Sequence, residues 1–292
     1  MKITKLWGLL TILFLTGGLL GAPAATAQPS TNVLSEAYVV YDRATERYVV
    51  TKGADAQYRS ASVVKLLIAL DHLYQNDPAL VLEEATTEAE RNDILALRAM
   101  LRSSWDYAAS SFWVRNGYTE IIDRMVARIG LQHTLPPEDE GIWGYTVVSP
   151  SDVVRIYNHI LDEAPQRYRD FIMTNLRLAE NCGEDGFDQS FGILSVFREP
   201  RSAKQGWSGW GSAPAEGEEC SPATLARSLE AGPVDATKED PVDFSNPLLA
   251  TTGTVGKQDR AVVVVFMTFV KGTTHAEGSA QITRRTQRLA LL

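Results

Sequence analysis

Two β-type runs, Ala37-Tyr38-Val39-Val40-Tyr41 and Tyr48-Val49-Val50-Thr51, flank the polar segment 42–47, a pattern that predicts a hairpin. After a polar stretch, Lys52 to Arg59, the chain turns apolar on nearly every side from Ser62 to Leu73. That predicts a central helix covered all round. Helical spacing with polar breaks then recurs at Leu80–Glu90, Asn92–Leu101, Tyr107–Val114, Tyr118–Ile129 and Ser151–Ala164. β-type runs return at Phe191–Phe197, Ser202–Trp207, Leu248–Val255 and Ala261–Val270. The last is almost continuously apolar, as the interior of a sheet requires. A final helix is predicted from Ala276 to Leu292, with Gln281, Arg284, Arg285 and Arg288 on its wet side. The segment Ser208 to Pro247, rich in Gly, Pro, Ser and acids, reads as a long surface excursion.

The order of these elements implies an α+β fold. An antiparallel sheet built from N- and C-terminal segments, about 33–61 and 190–292, is flanked by helices and carries an inserted all-helical lobe, about 62–189. A cleft between the two is the natural place for a site.

Composition narrows the compartment more than the fold. Of 292 residues, 45% are hydrophobic and 22% charged, ordinary values for a globular chain able to bury a sizeable core. Residues 1–27 stand apart: Lys2 and Lys5 precede an apolar run from Leu6 to Leu20 and a small-residue stretch ending Ala25-Thr26-Ala27. This reads as a secretory signal peptide cleaved before Gln28, with Gly8, Gly17, Gly18 and Pro23 arguing against the alternative of an uncleaved anchor. No cysteine lies at the cleavage site to carry a lipid, and no second run has spanning length, so residues 28–292 are expected as a single secreted domain.

The chain has 28 Lys and Arg against 36 Asp and Glu, and Lys2 and Lys5 leave with the leader, so the acidic balance argues against nucleic-acid binding. Two cysteines, Cys182 and Cys220, fit one disulfide in an oxidising compartment, with two separate thiols as the alternative. Four scattered histidines show no metal-ligand spacing, and no cofactor is expected.

The chemistry centres on Ser62-Val63-Val64-Lys65. On a helix the two polar side chains share a face one turn apart, and apolar neighbours keep water from the lysine. A desolvated lysine has a lowered pKa and can take a proton from a serine hydroxyl. The plainer reading is a serine cap beside a snorkelling lysine. Downstream, Ser104-Trp105-Asp106 puts a serine and an acid ahead of a helix, and Lys204-Gln205-Gly206-Trp207 puts a lysine on a strand, beside a glycine where a ligand can approach the backbone.

In this order the three segments resemble the penicillin-recognising serine enzymes: serine β-lactamases, penicillin-binding proteins and D,D-peptidases, whose signature is S-x-x-K, S-D-N or S-x-N, and K-T-G. The resemblance covers most of residues 28–292, including Ser149-Pro150-Ser151-Asp152 at the start of a later helix, and looks closest to the class A β-lactamase arrangement. It implies Ser62 as nucleophile, Lys65 as its base, Ser104 as proton relay to the leaving group, and Lys204 as its helper and as a charge for a substrate carboxylate. It also implies an oxyanion site at the backbone N–H groups of Ser62 and Trp207, beside Gly206, with Asp106 and Gln205 as substrate contacts.

The chain departs from the pattern at three points. Asp106 stands where the family has Asn, and Gln205 where it has a small hydroxyl residue. No E-x-x-L-N segment supplies a deacylating glutamate. Glu138 and Glu140 lie in about the right part of the chain but also read as a solvated acidic turn. Trp143, Tyr145, Trp207 and Trp210 are candidates for cleft walls or for local packing. The expected function is a secreted serine hydrolase or acyl transferase that forms an acyl-enzyme at Ser62 on an amide or ester, with peptidoglycan-derived substrates implied. The alternatives are a class A-like β-lactamase and an inactive binding protein retaining the fold.

Overall fold

The computed structural model describes residues 32–212, 214, 219–220 and 242–291. The chain divides into Met1–Thr31, outside the described residues, and Asn32–Leu292. The leader expected at 1–27, and much of the excursion expected at 208–247, therefore lie outside the described residues.

Strands β1 (Val33–Asp42) and β2 (Arg47–Lys52) form the hairpin that the pattern predicts, with Val40 opposite Val50. The chain then makes β3 (Tyr58–Arg59), a tight 3-10 turn over Ala61–Val64, and helix α1 (Lys65–Asn76). The helix expected from Ser62 thus opens as one tight turn, with Ser62 ahead of α1 and Lys65 as its first residue. Helices α2 (Glu88–Arg102), α3 (Asp106–Arg115) and α4 (Glu120–Ile129) follow. After β4 (Val147–Val148) come α5 (Pro150–Asn158) and α6 (Gln166–Arg177). The remainder is the short α7 (Ile193–Val196), strands β5 (Lys204–Ser208), β6 (Leu248–Val255) and β7 (Ala261–Phe269), and the terminal α8 (His275–Leu289).

The main sheet runs β2-β1-β7-β6-β5 with every neighbouring pair antiparallel. β7 lies between β1 and β6 and is buried on both faces, which is why its sequence does not alternate. Val262, Val264 and Phe266 pack on the side of α1, while Val263, Val265 and Met267 join Ile282 and Leu289 of α8. α1 is buried from Lys65 through Leu73, so it fills the layer between the sheet and the other helices.

Local chemistry sets several boundaries that periodicity alone does not. A Thr87–Glu90 capping box starts α2, so of the helix expected at Leu80–Glu90 only the end is helical. Ser149 caps α5 by accepting from the Asp152 N–H, with Pro150 in the first turn. The β-type run Phe191–Phe197 is not a strand but contains α7. Gly192 has φ 59°, and the N–H groups of Gly192 and Ile193 donate to the hydroxyls of Thr283 and Thr251 at 2.9 and 3.0 Å. These side-chain bonds take the place of a ladder, so tertiary contacts override the β preference of the residues.

Asp152 is a buried junction under the segment that leads to the site. Its fully buried carboxylate accepts from the N–H groups of Gln132 and His133, the Thr134 hydroxyl and the Arg155 guanidinium at 2.7–3.0 Å. Asp152→Ala leaves those donors without their acceptor, and the expected loss is about 3–5 kcal/mol by denaturant unfolding. A loss under about 1 kcal/mol would contradict this role.

Candidate active site

The 3-10 turn, the α2–α3 junction and β5 bring four side chains of the predicted set into one hydrogen-bonded chain. Lys65 Nζ lies 2.9 Å from Ser62 Oγ, 3.1 Å from Ser104 Oγ and 2.6 Å from the Ser104 carbonyl oxygen. Lys204 Nζ donates to Ser104 Oγ at 2.8 Å and to the Gln205 carbonyl at 2.9 Å. Ser62, Lys65, Ser104 and Lys204 are all buried, the two lysines at 0% and 1% exposure. Ser104 has φ 63°, a costly conformation for a residue other than glycine, and it presents both its carbonyl and its hydroxyl to Lys65. With two amines donating to its oxygen, the Ser104 hydroxyl still has its own proton to give.

Burial holds the Lys65 amine below the ordinary lysine range, and the carboxylate of Asp106, 2.5 Å away, opposes that shift. Asp106 is largely exposed on its far side, so Lys65 is paired with an acid that solvent partly screens. Lys204 is held further below its usual range by burial and by the charge of Lys65. The Trp143 ring centroid lies 4.8 Å from Lys65 Nζ, and its indole N–H donates to Ser110 Oγ at 3.1 Å. An aromatic ring therefore covers Lys65 on the side of the 141–145 segment.

Ser62 opens onto a cavity of about 370 Å³. Asp106, Trp143, Tyr145, Trp207 and Trp210 line it, so all four aromatic candidates reach the cleft. β5 is an edge strand, and its Gly206 lies against the turn that carries Ser62. A Cβ added there would sit 3.1 Å from the Ser60 carbonyl oxygen and 3.4 Å from the Ser62 nitrogen, so only glycine lets the strand approach this closely. Ser62 and Trp207 both border the cavity, next to that approach.

Gln205 sits differently from the expected substrate contact. Its amide N–H₂ donates to the carbonyls of Gln189 and Phe191 at 3.0 and 2.6 Å, and its side chain is not among the cavity walls. The cause is strand alternation, which sends Gln205 to the opposite face from Lys204. Glu138 and Glu140 are exposed and also lie outside the cavity walls.

A residue that the sequence reading passes over, Asp185, does line the cavity. It accepts from the Trp207 indole N–H at 2.7 Å and from the Phe187 N–H at 3.2 Å, and burial pushes its carboxyl up from the usual range. Its turn is tied down on both sides. Cys182 and Cys220 are disulfide-bonded, and the Cys220 N–H donates to the Gly186 carbonyl at 2.8 Å.

No protein-family model matches the chain. Two curated proteins named "Putative lipoprotein LppW", from Mycobacterium tuberculosis and Mycobacterium bovis, are each 37% identical to it over 172 residues, 58% of this chain and 52% of theirs. The chain thus spans about half the length of the curated relatives it matches. Among solved structures, PBP-A superposes with a TM-score of 0.57 at 13% identity, covering 91% of this chain and 90% of that one. The class A β-lactamase from Mycobacterium abscessus gives 0.57 at 14% identity over 88% and 93%, and the β-lactamase from Streptomyces albus G gives 0.56 at 15% over 88% and 93%. The chain has the α+β fold of the penicillin-recognising serine enzymes.

Proposed function

We propose that this chain is an exported serine acyl transferase or hydrolase that forms an acyl-enzyme at Ser62 on amide or ester substrates of the cell envelope, such as peptidoglycan-derived peptides. The observation that carries this reading is the buried chain Ser62–Lys65–Ser104–Lys204 opening onto a cavity. Ser62 Oγ attacks the substrate carbonyl carbon while its proton passes to Lys65 Nζ. The oxyanion is held by the N–H groups of Ser62 and Trp207. The Ser104 hydroxyl hands its proton to the leaving group and takes up the one that Lys65 received from Ser62, while Lys204 donates to the same oxygen. The pattern of residues 1–27, the Cys182–Cys220 disulfide and the lipoprotein name of the mycobacterial relatives support an envelope location.

Deacylation is the slow step in this reading. The ring of Trp143 covers Lys65 on one side, and Asp106, the carboxylate nearest that amine, is already bound to it. On incubation with penicillin G methyl ester, whose carboxylate is masked, followed by intact mass over time, the adduct is expected to accumulate and persist for many turnovers of an ordinary β-lactamase. Rapid loss of penicillin with no standing adduct would instead make the protein a β-lactamase. The Lys65–Asp106 ion pair favours a second reading, an inactive binding protein that keeps the fold. Absence of any adduct with penicillin and with activated esters would select it.

A further inference from the structure

The cavity beside Ser62 carries the wrong charge for an anionic substrate. Among the described residues, two carboxylates line it, Asp106 and Asp185, and no lysine, arginine or histidine does. The two nearby amines are already engaged. Lys65 is bound to Ser62, Ser104 and Asp106, and Lys204 to Ser104 and the Gln205 carbonyl, with exposures of 0% and 1%. A substrate carboxylate in this cavity would face walls that carry two acids.

Asp185 is the less usual of the pair. Where Asp106 has Lys65, Asp185 has only two N–H donors, from Trp207 and Phe187, and no ion pair among the described residues. A carboxylate that has lost much of its water without gaining a cation is costly to keep. The surrounding structure fixes it there. The turn closes through the Gly183 N–H to the Phe187 carbonyl at 2.9 Å, and the Trp207 ring packs where a Cβ on Gly183 would lie 2.8 Å from it. The disulfide at Cys182 anchors the same turn. The same cavity is lined by the rings of Phe187, Trp143, Tyr145 and Trp207, and aromatic π faces attract cations and repel anions.

We propose that this cavity selects ligands bearing a positively charged amine, with Asp185 as the specificity-determining residue and the aromatic walls as the flanking surface. The inference rests on the acyl-enzyme reading in that the cation would belong to the acyl donor. It concerns recognition rather than reaction and is testable without turnover.

The test is calorimetric titration of the secreted protein with three probes alike in shape: phenylbutylamine, phenylbutanol and phenylbutanoate. The amine, cationic at neutral pH, is expected to bind about tenfold or more tighter than the alcohol, and the carboxylate weakest. Asp185→Asn keeps an oxygen for the Trp207 N–H and is expected to bring the amine within about twofold of the alcohol. Binding of the carboxylate as tight as that of the amine would overturn the proposal, as would no measurable amine binding or a preference untouched in Asp185→Asn. The wild-type ranking alone decides the matter if that variant does not fold. A protein that never acylates Ser62 still yields this ranking, whereas one that acylates without charge preference overturns this proposal alone.

Discussion

Replacing Lys65 by methionine is expected to lower the rate of Ser62 acylation by about 10²–10⁴ while leaving the fold as stable as before, or more so. The two halves of this result have different causes. Among the described residues, the Lys65 amine is the group hydrogen-bonded to Ser62 Oγ that can take its proton, so its loss removes the base. Methionine has nearly the same length and is content in a dry site. It leaves the Ser62 hydroxyl and Ser104 carbonyl without a partner, at about 1–3 kcal/mol. Against that, it removes an amine whose ionised form costs several kcal/mol to bury. Asp106 keeps its solvent-exposed side and needs no buried partner. The check is paired, an acylation rate with an activated ester and a thermal melt. Loss of several kcal/mol of stability with acylation retained would mean that Lys65 is a structural residue and not a base.

Asp106→Asn is expected to raise acylation near neutral pH by up to about tenfold and to move its pH profile toward lower pH. The sign follows from the groups in contact. Acylation requires a neutral Lys65, so the rate rises as pH rises through the Lys65 pKa. Burial already holds that pKa below the ordinary lysine range, and the Asp106 carboxylate pulls it back up. Removing the negative charge leaves burial unopposed, the pKa falls further, and the rise begins at lower pH. A uniform drop in rate with no shift would show that Asp106 holds substrate and does not set the charge of Lys65.

Much of the fold is legible in the sequence because its sheet is marked by strong local patterns. The unbroken apolar run of β7 and the hairpin around residues 42–47 need no tertiary knowledge to read. The three-residue spacing of Ser62 and Lys65 likewise suffices to predict that they meet, since they share one helical turn. Phe191–Phe197 misleads because its preference is overridden by the Thr251 and Thr283 hydroxyls, one on β6 and the other on α8. Gln205 misleads because motif order does not say which face of a strand a side chain takes. Asp185 is invisible for a third reason. In Cys182-Gly183-Glu184-Asp185-Gly186 it looks like a solvated turn. Only the disulfide and the Trp207 indole, 22 residues away, carry it into the cavity.

The central claim is that Ser62 is a nucleophile activated within this buried chain of amines and hydroxyls. The most direct measurement is peptide-mapping mass spectrometry after treatment with a fluorophosphonate, a serine-directed probe that needs no particular substrate recognition. A single adduct on the peptide containing Ser62, absent in Ser62→Ala and strongly reduced in Lys65→Met, is the predicted result. An unmodified Ser62 peptide, or an adduct that survives Ser62→Ala, would contradict it.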